Sequence, residues 1–237
     1  MSSSNKFILP GGSKQFRILK QKVEIENKNI LIVGESSEKI AEKFASEGSQ
    51  TVEIIVRDYE SLMQSRISLD KTFNISVRIN DFENTDFPED NFDIVYSQSS
   101  LSNTDRKSVI KEIKRILKPE GIFCVSEITK LKNDIPTFVK NIFDSSQMNP
   151  LNHSEFKEYF LSKGFSLIFE QDLSSSLKDF YENIKEKLIE YQKNSSETER
   201  AYYKKLLNKI SHESNAYLKL GGSKYIGLNF LILKNNK

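Results

Sequence analysis

The feature that most constrains this chain is the alternation of short apolar runs with helical patterns through its first two-thirds. Runs rich in β-branched and aliphatic residues occupy 29–33, 52–56, 76–79, 92–96 and 122–126. Each is too short for an ordinary helix and reads as a strand buried on both faces. Between them Ile40, Ala41, Phe44 and Ala45 recur at helical spacing. So do Val109, Ile110, Ile113, Ile116 and Leu117, with lysine and glutamate opposite. Strand and helix in succession imply right-handed crossovers and a mainly parallel sheet covered by helices on both sides. Lys118-Pro119-Glu120-Gly121 reads as the turn that ends one helix and launches the strand at Ile122.

Beyond residue 130 the pattern loosens. A short helix over 154–163 is stopped by Gly164, and a strand follows at 165–169. Two helical segments near 177–192 and 197–212 flank the polar turn Asn194-Ser195-Ser196, and Gly221-Gly222 precedes a last strand at 226–233. A helical pair inserted between two late strands projects beyond the sheet as a cap. The expected organisation is one α/β domain over 1–237, with its core at about 25–172 and 220–237 and a cap at about 173–219.

Charge excludes some function classes. The 35 basic and 33 acidic side chains leave a net charge of +2, so no whole-molecule field favours nucleic acid or a membrane surface. Lys204, Lys205 and Lys209 form a local basic face, but Glu197, Glu199 and Glu213 interleave with them and point to a solvated helix. Cys124 stands alone in an apolar run and reads as buried; with only His153 and His212 besides, no zinc site is expected. His153 reads as a surface or capping residue, and His212 sits near a helix end, where histidine is favoured. Tyr181, Tyr191, Tyr202, Tyr203 and Tyr217 either line a substrate cavity or glue the helical pair to the sheet. The opening Met1-Ser2-Ser3-Ser4-Asn5-Lys6 lacks the apolar stretch of a secretion signal, so a cytoplasmic setting is expected.

In an open parallel sheet, ligands bind beyond the carboxyl ends of the strands, where the strand order reverses. Four such ends are legible: Gly34-Glu35-Ser36-Ser37-Glu38, Arg57-Asp58-Tyr59, Asn80-Asp81-Phe82 and Ser97-Gln98-Ser99-Ser100. With Phe87-Pro88-Glu89-Asp90-Asn91-Phe92-Asp93 and Leu117-Lys118-Pro119-Glu120-Gly121 after them, their order resembles the class I S-adenosylmethionine (SAM) dependent methyltransferases. The likeness is greatest to the branch acting on small molecules, and it covers roughly residues 28–130. It implies a Rossmann-like, mainly parallel seven-stranded sheet and SAM as cofactor. Gly34 would be the first glycine of the SAM loop, continued by Glu35 and Ser36. Asp58, with Tyr59 beside it, would accept the ribose hydroxyls. Asp81 would accept the adenine amino group, Phe82 would pack on the ring, and Ser97 would open the fourth tip toward the transferred methyl.

The loop departs from the family pattern at three places: Ile32 replaces an acidic residue, Ser36 a glycine, and Glu38 brings charge near the expected ligand carboxylate. Glu38 also suits the first turn of the following helix, where it would satisfy the helix dipole from within the chain. Two readings follow. One is a methyltransferase acting on a small molecule beneath the cap, with Gln98 and Ser99 as hydrogen-bonding candidates. The other is a scaffold or binding protein that keeps the fold, has lost SAM, and takes a protein partner.

Overall fold

A computed structural model describes residues 8–102, 105–194 and 196–237, without the side chains of Thr198 and Glu199. Residues 1–6, Ser195 and the Glu199 side chain, all used in the sequence reading, lie outside the described residues. Seven strands form one sheet: β1 (Asn29–Val33), β2 (Thr51–Val56), β3 (Ile75–Ile79), β4 (Phe92–Gln98), β5 (Leu117–Lys130), β6 (Phe165–Asp172) and β7 (Ile226–Asn235). Their order is β3-β2-β1-β4-β5-β7-β6. The first five run parallel, whereas β7 runs antiparallel to both neighbours. This is the expected Rossmann-like architecture.

Why β1 lies at the centre follows from its side chains. Ile30, Leu31, Ile32 and Val33 are all buried, and successive residues face opposite sides of the sheet. Ile30 and Ile32 join one core layer with Phe16, Leu19, Ile40 and Phe44. Leu31 and Val33 join the other with Val109, Ile113 and Phe160. The first layer is supplied by α1 (Lys14–Lys22) and α2 (Glu38–Ser46), and the second by α4 (Arg106–Ile116) and α6 (Phe156–Leu161). Edge-to-face contacts run from Phe16 to Phe44 at 4.9 Å and on to Tyr96 at 5.5 Å, each worth about 0.5–1.5 kcal/mol beyond burial. The sequence reading assigned nothing before residue 25, yet α1 completes this layer.

α3 (Tyr59–Ser68) and α5 (Thr137–Ser145) escaped the periodicity. α3 is short of large apolar residues and buries Ser61, Gln64 and Ser65 beside Leu62, so it has no stripe to detect. The stretch at 118–121 is an irregular start of β5. Pairing with β4 jumps from Phe92↔Leu117 to Ile94↔Ile122, and Glu120 takes φ 63° within the gap. The late helices are longer than their patterns: α7 (Ser176–Asn194) and α8 (Glu197–Leu218) pack on each other between β6 and β7, as a cap. No helix among the described residues is long and apolar enough to cross a membrane.

Candidate functional site

The strand order reverses between β1 and β4, and their carboxyl ends open a cavity of about 190 Å³. Its floor is Gly34, Glu35 and Ser36 after β1, with Ser99 and Ser100 after β4. Arg57 and Phe82 close one side, at the tips of β2 and β3. The roof is the cap, through Phe180 and Tyr181 of α7 and Leu206, Lys209, Ile210 and Glu213 of α8. Residues 8–10 form a further wall, held by Gln98, whose amide donates to Pro10 O at 2.7 Å and Gly12 O at 2.9 Å.

Gly34 adopts φ 121°, open only to glycine, and a Cβ there would overlap the Ser100 hydroxyl. The first and fourth tips therefore touch across the switch point. Ser36, where the family has its next glycine, stays in the left-handed region at φ 60°, so the loop keeps its shape without the residue that favours it. Its hydroxyl lies 3.3 Å from Tyr202 of the cap. Ser37 donates to Gly34 O at 2.8 Å instead of capping α2. Glu38 does not enter the cavity: it accepts from Ser65 Oγ of α3 at 2.5 Å, and burial pushes its carboxyl up.

The expected adenosine contacts are distributed unevenly. Phe82 is buried and lines the cavity, with the Arg57 guanidinium 4.3 Å from its ring centre and paired to Glu83 at 2.7 Å. Asp58 and Asp81 are exposed at the rim. Asp58 caps α3 by accepting from Ser61 N at 2.8 Å, and Asp81 accepts from Glu83 N at 3.0 Å. Hydrogen bonding with the Glu83 side chain first, and with its main chain second, holds the Asp81 carboxyl below its ordinary range, with Arg57 adding to it. Burial first, and the charge of Asp58 second, push Glu35 up, which puts Asp58 next to the cavity wall. Tyr59 is 67% exposed, and Ser97 is buried beneath the floor, where its carbonyl accepts from Gln15 at 3.0 Å. Gln98 spends its amide on the N-terminal segment and accepts from Tyr96 OH at 2.7 Å, so it is a strut rather than a free substrate contact. Of the eight cofactor candidates, Gly34, Glu35, Ser36 and Phe82 line the cavity.

Several groups that build the site carry no motif. Glu127 of β5 is buried and accepts from Ser100 N and Leu101 N, both at 3.0 Å, and from Ser102 Oγ at 2.5 Å. It shapes the whole tip after β4, and burial pushes its carboxyl up. Glu213 corrects the sequence reading: it is 8% exposed, lines the cavity and accepts from Ser146 Oγ at 2.6 Å, rather than facing solvent. Its register shows why, because Leu206, Ile210, Glu213 and Tyr217 fall on one helical stripe. Lys209 also lines the cavity, while Lys205 pairs with Glu60 of α3 at 3.3 Å. The tyrosines divide the two roles foreseen for them: Tyr181 lines the cavity, and Tyr191 and Tyr203 pack together at 5.6 Å. Burial pushes the Cys124 thiol up, and His153 contacts Thr129 Oγ1 through Nδ1 at 2.9 Å.

Comparison with known proteins agrees with this geometry. Residues 31–125 match the family model described as a methyltransferase domain. No sequence among curated proteins matches the chain. Among solved structures it is similar to phosphoethanolamine N-methyltransferase 2 of Haemonchus contortus, solved with phosphomonomethylethanolamine and S-adenosylhomocysteine. The TM-score is 0.75 at 17% identity, over 99% of this chain but 56% of that one. The cyclopropane synthase MmaA2 of Mycobacterium tuberculosis gives 0.71 at 15% identity, over 93% of this chain and 83% of that one. The [4+2]-cyclase SpnF gives 0.74 at 15% identity, over 94% and 80%. Over residues 31–125 the chain is therefore similar to a methyltransferase domain, and it has the fold of the class I SAM-dependent methyltransferases.

Proposed function

We propose that this protein transfers a methyl group from SAM to a small molecule held beneath the α7–α8 cap. The observation that carries the reading is the cavity at the switch point, floored by Gly34, walled by Phe82 and roofed by Tyr181 and Glu213. Its residues suit the donor's parts. The Phe82 face fits a flat base, the exposed carboxylates of Asp58 and Asp81 fit hydroxyl and amino donors, and the loop at Gly34 brings main chain to the cavity surface. When bound, SAM supplies an electrophilic methyl on sulfur. The chain's own task is to hold the acceptor in line and keep water out; contacts of Tyr202 with Ser36 and of Tyr203 with Gln64, the latter at 3.0 Å, hold the cap over the loop and α3.

Calorimetric titration with SAM and with S-adenosylhomocysteine tests the reading. Binding of either at micromolar affinity supports it, and no heat from either with a folded sample rejects it. A second reading, a scaffold that keeps the fold without the chemistry, is favoured by two contacts: Ser100 against Gly34, and Arg57 over Phe82. Both narrow the site, and the cavity of about 190 Å³ is below the ~300 Å³ at which ligand sites usually begin. The fold alone does not choose between them, since a cyclase shares it.

A further inference from the structure

We propose that Glu213 and Tyr181 form the seat for an amine group of the acceptor, so that the molecule methylated is a small amine, whose ammonium gives a proton to Glu213 before the freed nitrogen takes the methyl from sulfur; this rests on the methyl-transfer reading above. Glu213 is a carboxylate withdrawn from water, fixed by Ser146 Oγ at 2.6 Å and by the Tyr181 hydroxyl, and it borders the cavity. A carboxylate placed there is costly unless a cation or a good donor meets it.

The charges around the cavity favour a cation. Among the described residues, Glu35, Glu213, Arg57 and Lys209 are its ionisable carboxylates and cations. Arg57 is already matched by Glu83, which does not line it, so two carboxylates face one ammonium. The aromatic rings of Phe180 and Tyr181 add faces that attract cations. Burial pushes the carboxyls of both Glu213 and Glu35 up. The groups facing Glu213 are Ser146 from the end of α5, Tyr181 from α7 and Lys209 from its own helix, with Glu35 and Arg57 on the opposite wall. Amine binding should therefore strengthen as pH rises through the Glu213 range and level off once that carboxylate is ionised.

The donor itself carries cationic groups, so the test separates the two sources. Benzylamine, benzyl alcohol and benzoate, similar in shape and different in charge, are titrated into the full chain with and without saturating S-adenosylhomocysteine. The expected result is about tenfold tighter binding of benzylamine than of benzyl alcohol, as for a hydrogen bond to a charged group, with benzoate weakest. S-adenosylhomocysteine should leave that ratio unchanged. Glu213→Gln should bring it below about threefold while the thermal melt is retained. If that variant melts early, Tyr181→Phe reads the same seat, weakening benzylamine selectively. Benzoate binding as well as benzylamine, a ratio untouched in both variants, or displacement of benzylamine by S-adenosylhomocysteine would overturn the proposal. Should S-adenosylhomocysteine fail to bind while the benzylamine preference persists, methyl transfer alone is rejected and the amine seat stands.

Discussion

Two pairs of carboxylates frame the site and behave in opposite ways. Asp58 and Asp81 stand in solvent at the tips of β2 and β3, and each spends oxygen on the turn that it begins. Glu127 and Glu213 are buried and hold groups distant in sequence: Glu127 the tip after β4, and Glu213 the end of α5. A solvated carboxylate keeps lone pairs free for a ligand at little cost. A buried one must be satisfied by the fold, and in return it fixes geometry. Rim acids at strand tips are thus suited to recognition, while the interior acids decide the cavity's shape.

The comparison breaks most severely where the tips touch. Gly34→Ala should destabilise the chain by about 2–4 kcal/mol, from an unfavourable φ and the overlap with Ser100. Ser100→Gly in that background should recover the overlap part, so the two changes are non-additive in denaturant melts. Additive effects would place the strain elsewhere. Removing the interior acid comes next: Glu127→Ala leaves three donors without their acceptor and should cost about 2–3 kcal/mol, whereas Asp81→Ala should cost under about 0.5 kcal/mol.

Glu127→Gln sharpens the contrast through pH. Because burial raises the folded-state pKa of Glu127, the native state keeps a proton that the unfolded chain releases. Its contribution is fullest below the unfolded value and is lost as pH rises through the folded one. The variant should therefore gain on the wild type progressively as melts are taken to pH values above the unfolded glutamate range of about 4.5. A difference independent of pH would contradict the burial argument.

At the rim the expected effects are smaller and concern binding. Arg57→Ala uncovers Phe82 and removes the pair with Glu83, so S-adenosylhomocysteine affinity should rise about five- to tenfold in calorimetry. Weaker binding would instead make Arg57 a ligand contact. Least of all, Lys205→Ala should change stability by under about 0.5 kcal/mol, since its pair with Glu60 is solvent-exposed.

The strands were legible because a residue buried on both faces of a sheet admits little but Ile, Leu, Val and Phe, as 30–33 illustrates. The cap was legible because two long periodic segments fell between the last strands. α3 was not, since its buried face is largely serine and glutamine, whose partners lie on α2 and the cap: Ser65 meets Glu38, and Gln64 meets Tyr203. Glu213 was misplaced for a related reason. Charge composition along α8 was weighed ahead of the stripe that carries it inward.

By itself the sequence determined the order of the seven strands and of the helical pair in the cap, the strand tips on which a site would stand, and the aromatic at position 82. These are local properties, set by side-chain periodicity and by the backbone demands of short turns. Only the tertiary structure decided which groups face one another there. It set Ser100 on Gly34, Arg57 on Phe82, and Glu213 beneath the cap beside Tyr181. Such pairings join residues dozens of positions apart, and which groups meet a buried charge is fixed by the packing of elements distant in sequence.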